Sequence, residues 1–513
     1  MSATSDNNKR IAKNTVILYC RMFLMLVIGL FTSRVILQTL GVEDYGIYNA
    51  VGGIVVMFGL LSGAITNAVN RFLAFELGRG DKEKLKRVFS TSLNVMLIFS
   101  LFIIILGATL GVWFLNCRMV IPEGRMSAAN WVLACSVLTF TINLISIPYN
   151  AAIVAHEKMS AFAYISLIEA ALKLAIVYTL YIIPFDKLKT YAVLYLCLAF
   201  LIRFLYGVYC KRHFAECTYH LIHDKALLKQ MTSFAGWNFL GNGAYMINNA
   251  GINLLMNLFF GVTVNAARGI AVQVNSHVYQ FVTNFTMAVN PQITKSYAKG
   301  DYEYMHSLVI RGSKFSFFLI LFFLIPICLE AHQILHIWLG IVPDYAVPFI
   351  QITMISTAIN TLTNSVIVAT HATGNIRRFM ITCGAVEIVT FPLVYIAFKL
   401  GATPMAAYYI NTTIVVILIF VRLFMAKDLI HMKASTYIKA VFLKAFIVGM
   451  LSFILPMISW VMMEECILRL IIVCVVSCIS SISIIYIIGL NQSERVLILS
   501  FIKKKIMLNR RRV

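Results

Sequence analysis

The sequence predicts an all-α polytopic membrane protein of about fourteen spanning helices, and three observations carry that prediction. The chain has 513 residues, 60% hydrophobic and only 12% charged, which is about half the charge of a typical soluble domain. Its mean hydropathy is +0.85, and the apolar residues fall in runs of about 20, long enough to cross a hydrocarbon core of roughly 30 Å. Those runs recur along the whole chain between short polar connectors, without the alternating ten-residue pattern of barrel strands.

The N-terminal MSATSDNNKR is polar and leads directly into a full-length span, so no cleavable signal is expected. Helices one and two are expected near 13–38 and 46–70. Helices three to six follow near 91–115, 128–152, 160–183 and 189–210, and a polar connector with histidines occupies 211–231. Helices seven to twelve are expected near 233–258, 264–290, 313–337, 346–370, 379–399 and 404–426, and two more near 440–462 and 467–490. Pro148, Pro326 and Pro392 fall inside spans and free backbone groups that neighbours or water must satisfy. The eleven cysteines have no metal-ligand spacing and no disulfide framework, so they read as small packing residues. No metal and no cofactor is expected.

Lysine and arginine set the orientation. The connectors after even-numbered helices hold Arg79, Lys82, Lys84, Lys86 and Arg87, then Lys211, Arg212, Lys225 and Lys229. Later ones hold Lys295, Lys299, Arg311 and Lys314, then Arg377 and Arg378, and the tail adds Lys503 to Lys505 and Arg510 to Arg512. The positive-inside rule therefore places both termini in the cytoplasm and makes the net charge of +22 mainly a topology signal. Basic residues so dispersed do not form a nucleic-acid surface.

The chain also repeats itself. Gly41-Val42, Thr66, Ala68-Val69-Asn70 and Gly80-Asp81 recur at a constant offset of 220 as Gly261-Val262, Thr286, Ala288-Val289-Asn290 and Gly300-Asp301. IVA at 153–155 recurs at 367–369, and Glu169 falls opposite Glu387. The expected organisation is a six-helix bundle over 1–210, a cytoplasmic connector over 211–231 and a second six-helix bundle over 232–426. An extra helix pair over 427–490 and a basic cytoplasmic tail over 491–513 complete it. Two like bundles, each with an even number of spans, are related by an axis along the membrane normal, a transporter design.

Ionisable residues at membrane depth are costly and face a cavity or a partner. Helix one carries Arg21 and, near its outer end, Arg34; helix six carries Arg203, helix eight Arg268 and helix eleven Glu387. Arg34, Arg203 and Arg268 lie where an arginine either snorkels to the interface or lines a cavity. Glu169 and Lys173 share a face of helix five, as a structural ion pair or an ion-coupling pair. Helix seven places Asn238, Asn242, Tyr245, Asn249, Asn253 and Asn257 on one broad face, either to meet sugar hydroxyls in a cavity or to bond a neighbouring helix. Helix eight adds Gln273, Asn275, His277, Gln280, Asn284 and Asn290, with His277 read as a hydrogen-bonded polar residue.

Five segments carry a family resemblance. TSRVILQTLGVEDYGIY at 32–48, IPYNAAIVAHEKM at 147–159, NAARGI at 265–270, NPQITKSYAKGD at 290–301 and HATGNIRR at 371–378 resemble the Wzx-type oligosaccharide flippases. These are relatives of the multidrug and toxic compound extruders (MATE) within the polysaccharide-exporter superfamily. The resemblance implies a MATE-like fold and a bacterial inner-membrane flippase of undecaprenyl-diphosphate-linked oligosaccharide for O-antigen or capsule. It further implies alternating access driven by an ion gradient, a monomeric chain, and a glycan polymerase and chain-length regulator as partners beside the membrane lipids. Cavity arginines would hold the diphosphate while sugars meet the amide wall. The related peptidoglycan-precursor flippases use arginines on helices one, two and eight; Arg21 and Arg268 match, whereas helix two has only Arg71 at its cytoplasmic end. A drug antiporter favours an acidic cavity, and a membrane glycan polymerase or ligase needs a large outer loop with catalytic groups, so both are weaker readings.

Overall fold

The computed structural model describes residues 2–495 apart from 57, 120, 123, 221–223 and 493. The tail residues Lys503 to Lys505 and Arg510 to Arg512, and the side chain of Arg34, lie outside the described residues. Among the described residues the chain is helix and turn, with no strand. Its helical stretches are α1 (2–40), α2 (42–56 together with Gly59–Arg79), α3 (Lys82–Cys117), α4 (Met126–Ala155), α5 (Met159–Thr179), α6 (Lys187–His213) and α7 (225–260). They continue as α8 (262–298), α9 (Tyr302–Leu339), α10 (Ala346–Ala372), α11 (Arg377–Lys399), α12 (Met405–Ile430), α13 (Ala434–Met462) and α14 (Ile467–Gly489). The fourteen-helix expectation is thus met, with ends that run several residues past the apolar cores.

Among the described residues, ten helices are long and apolar enough to cross a membrane. The remaining stretches are α2, α7, α8 and α12, which carry Arg71, the asparagine row, Arg268 and Arg422.

Two glycines bend the chain at equivalent places. Gly41 (φ 79°) separates α1 from α2, and Gly261 (φ 80°) separates α7 from α8. A left-handed residue inside a helical run turns its axis without an intervening loop, and glycine adopts it without a Cβ clash. The residues paired by the 220-residue offset therefore share a backbone conformation as well as an identity. Aspartates start the helices at the connectors: Asp81, Asp224 and Asp301 accept from Lys84 N, Leu227 N and Tyr304 N at 3.0, 3.0 and 3.1 Å. Each satisfies an otherwise orphaned first-turn donor.

The prolines act unequally. Pro148 lies in the unbroken helix Met126–Ala155. Pro326 precedes a non-helical Glu330 (φ −115°) in α9. Pro392 removes the donor that would bond Ile388, and the helix Arg377–Ile388 ends at that residue. Gly107–Gly111 in α3, Ile438–Leu443 in α13 and Ile485–Gly489 in α14 are π-helical turns.

The contacts divide into two compact units. The first holds Met1–Gly243, Met287–Met305 and His371–Ile381; the second holds Ala244–Thr286, His306–Thr370 and the chain from Thr382 onward. In the first unit Val35, Ile36, Leu40, Val177, Leu180 and Tyr191 form one buried cluster and Leu18, Met159 and Ala288 another. Large apolar side chains such as Ile98, Ile182 and Phe204 point away from the interior, as they do where lipid is the solvent.

Candidate functional site

Each unit holds its own set of membrane-embedded polar groups. In the second unit the set converges. Arg268 of α8 is 7% exposed, and one of its terminal nitrogens donates to the Asn249 backbone oxygen at 3.0 Å and to the Asn249 side-chain oxygen. The Gly261 bend makes this possible by folding α8 back beside α7, so that residues nineteen apart in sequence meet. The Arg268 Nε is buried with no hydrogen-bond partner, and so is the Asn248 side-chain oxygen. Both belong to the wall of a cavity of about 140 Å³, joined by Tyr245, Asn275, Tyr408 and Asn411. Asn275 accepts from Thr357 at 2.7 Å, which fixes its amide.

A guanidinium with an unused donor among amides and hydroxyls suits an anionic oxygen flanked by hydroxyl groups. The cavity has the liquid volume of a few waters, about 30 Å³ each, so it fits a phosphoryl-sized group and not an extended glycan. Next to it in sequence, the row thins out. Asn253 and Asn257 are exposed and stand outside the cavity wall.

Glu387 of α11 is half-buried, with Arg422 of α12 as its charged neighbour. Arg422 donates to Asn360 at 2.8 Å and to Thr363 at 2.9 Å. The buried α9 carboxylate of Glu330 takes two hydrogen bonds from Arg469 of α14, at 2.8 and 3.0 Å.

The first unit holds the other predicted residues. Arg21 donates through Nε to Ser166 at 2.8 Å, lies 4.5 Å from the centre of the Phe162 ring, and has Tyr206 and Glu169 as electrostatic neighbours. Glu169 and Lys173 form an ion pair at 2.6 Å, with Lys173 also 5.3 Å from the Tyr195 ring. Arg203 stacks 3.7 Å over Tyr149, a cation–π contact. Asn238 is fully buried and donates to Phe234 O at 3.3 Å, whereas Asn242 is exposed. The structure therefore brings Arg268 and Asn249 into one cavity and groups Arg21 with Glu169 and Lys173. Asn253 and Asn257 do not line that cavity, and in the first unit Arg203 and Asn238 have the separate partners Tyr149 and Phe234.

Sequence reading missed Asn248, Tyr408, Asn411 and Arg422. Asn248 adjoins the asparagine row one position off its face, and a wider helical face would have included it. Arg422 lies near a helix end and resembles an interfacial anchor.

Motif residues without a predicted role assemble in the first unit. Glu157, in the α4–α5 connector with a left-handed backbone (φ 60°), has a fully buried carboxylate. It takes Arg10 Nε at 2.6 Å, Gln292 Nε2 at 2.6 Å and Lys295 Nζ at 2.5 Å, while its backbone oxygen takes Asn14 at 3.0 Å. Beside it, His156 pairs with Glu216 and stacks on Phe214 at 4.1 Å. Burial works to raise the Glu216 pKa, but the His156 bond outweighs it and holds the carboxyl below its ordinary range. Arg71 donates to Ala372 O at 2.8 Å and stacks on Phe72 and Phe75.

The connectors expected outside are tied as well. Arg125 pairs with Asp44 at 2.9 Å and with Asp186 at 2.7 Å, so one guanidinium holds the first turn of α2 to the α3–α4 and α5–α6 connectors.

No protein-family model matches the chain, and no curated protein matches it. Solved structures do. A point mutant of a MATE protein is similar with a TM-score of 0.70 and 14% identity, over 82% of this chain and 97% of that one. The outward-facing conformation of a multidrug resistance MATE family transporter of the MOP superfamily is similar with a TM-score of 0.69 and 14% identity, over 83% and 96%. A MOP superfamily transporter from Pyrococcus furiosus Vc1 (DSM3638), whose binding pocket of reverse polarity suggests a different function, is similar at 0.63 and 16%, over 83% and 96%. At these identities it is the architecture that is shared: the chain has the fold of the MATE family transporters of the MOP superfamily.

Proposed function

We propose that the chain is an inner-membrane transporter that flips undecaprenyl-diphosphate-linked oligosaccharide from the cytoplasmic to the periplasmic leaflet for O-antigen or capsular polysaccharide. The observation that carries this reading is the buried Arg268 guanidinium, with one unused donor, in an amide- and hydroxyl-lined cavity. Such a wall complements a phosphoryl oxygen and its neighbouring sugar hydroxyls. Arg21 supplies a second membrane-embedded cation in the first unit, on a side chain that Ser166 and Phe162 hold in place.

The transporter fold favours alternating access, with both termini cytoplasmic and Glu169, Lys173 and Glu387 as candidates for ion coupling. A glycan polymerase and a chain-length regulator would receive the product. A cation antiporter with the same fold would need an acid free to release and take up cations or protons. Here Glu169, Glu330 and Glu387 each have a basic neighbour, which favours the anionic substrate.

The test is a reconstituted assay of fluorescent lipid-linked oligosaccharide movement. Arg268→Ala and Arg21→Ala are expected to abolish flipping while the protein still inserts in the membrane. Unchanged movement in both variants would overturn the cavity-arginine reading, and transport indifferent to pH, sodium and membrane potential alike would remove the ion-coupling part.

A further inference from the structure

A second cavity, in the first unit, has a different chemistry. It is an open groove of about 690 Å³ between α2, α3 and the start of α7. Its lining includes the small residues Ala64, Ala68, Ala235 and Gly236 and the aromatic residues Phe99, Phe102 and Phe239. Small side chains leave the groove deep: a Cβ added at Gly236 would meet nothing within 4 Å. The groove is apolar along its length and open to the side.

Only one end is charged. Lys225 and Lys229 line it, one helical turn apart and so on the same face of α7, and both side chains are exposed. Among the described residues neither ammonium is engaged in an ion pair. Asp224, the nearest carboxylate in sequence, accepts from Leu227 N as the α7 cap. From Lys229 to Phe239 the helix rises about 15 Å, the depth of one leaflet of hydrocarbon. A pair of cations at the surface end of a leaflet-deep apolar groove complements a molecule with an anionic head and an extended chain.

We propose that this groove is a binding site for an anionic membrane phospholipid, with its phosphate on Lys225 and Lys229 and one acyl chain along α7 toward Phe239. The assignment is independent of the transported substrate. It accounts for two lysines that topology alone would place anywhere in the connector, and for a cleft that small residues keep open. Each lysine near a membrane surface favours an anionic lipid by a few-fold, and two on one face act together.

The full-length protein is reconstituted in phosphatidylcholine vesicles carrying a small amount of photoactivatable phosphatidylglycerol, and cross-linked peptides are mapped. Cross-links are expected on residues 225–239 and 95–102, displaced by unlabelled phosphatidylglycerol and not by added phosphatidylcholine. Lys225→Gln with Lys229→Gln should lower the yield in these peptides roughly tenfold while leaving other cross-links unchanged. Gly236→Phe, which places a ring in open space, should lower the same yield with the lysines intact. Labelling of these peptides that survives the double lysine variant, or that phosphatidylcholine displaces equally well, would overturn the proposal. So would stronger lysine-dependent competition by a polyprenyl diphosphate than by phosphatidylglycerol, which would make the groove a dock for the transported lipid.

Discussion

Arg268 has two possible uses for its charge, and its geometry separates them. A snorkelling arginine extends toward the headgroups and stays solvated; this one is 7% exposed and turned onto Asn249. Replacing it with lysine keeps the charge but loses the planar fork, so the Asn249 contacts and the free donor cannot both be kept. Arg268→Lys is expected to lower flipping at least tenfold, with little change in thermal melting; transport at the original rate would show that charge alone suffices. The sequence displayed Arg268 and Asn249 because charge and amides stand out in an apolar run. It did not display Tyr408 or Asn411, since a tyrosine and a lone asparagine at a helix start are ordinary residues until a bend in another helix brings Arg268 beside them. Nor did it distinguish Asn249 from Asn253 and Asn257, one and two turns further along. A helical face is continuous in sequence, whereas the cavity behind it ends.

At the scale of elements, the repeat was the most legible feature, because a left-handed bend demands glycine and leaves it at both Gly41 and Gly261. Gly261→Ala should cost about 1–3 kcal/mol, read as a lower melting temperature, and should disturb the Arg268–Asn249 contact. The ion pairs between elements were not legible. Glu330 and Arg469 are 139 residues apart, and nothing local marks them as partners. Arg469→Met alone should destabilise by about 3–5 kcal/mol by leaving the Glu330 carboxylate buried and unpaired. Pairing it with Glu330→Met should recover most of that loss; no recovery would mean that Arg469 acts through Trp460 or through the Met463 carbonyl that it also contacts.

The Arg125 ion pairs with Asp44 and Asp186 carry a pH dependence. Burial works to raise the Asp186 pKa, but hydrogen bonds from Lys189 N and from Arg125 outweigh it and hold the carboxyl below the ordinary range. A carboxyl depressed in the folded state contributes stability above its unfolded pKa of about 3.9 and loses it as pH falls through the folded value. The Arg125–Asp186 pair should therefore be intact at neutral pH and weaken below about pH 4, and Asp186→Asn should remove that acid-dependent step in melting temperature. An unchanged acid limb in the variant would assign the step to another carboxyl.

For the whole molecule, the class follows from a sum along the chain, its hydropathy, and such a sum survives errors at single residues. What it does not contain is which distant motifs meet. IPYNAAIVAHEKM and NPQITKSYAKGD carry Glu157, Gln292 and Lys295, and only the fold shows that these converge with Arg10 on one carboxylate. A fully buried carboxylate with three side-chain donors cannot be neutralised without leaving Lys295 and Arg10 facing each other across an uncharged group. Glu157→Gln is therefore expected to lower stability by about 3–5 kcal/mol. Gln292→Leu, which removes one hydrogen bond to a charged group, should cost about 1.5–3 kcal/mol. Denaturation of both variants in one detergent measures the ratio. Equal losses would mean that the charges at Arg10 and Lys295 find other partners, and that the Glu157 carboxylate holds the N-terminal helix to α8 by hydrogen bonding alone.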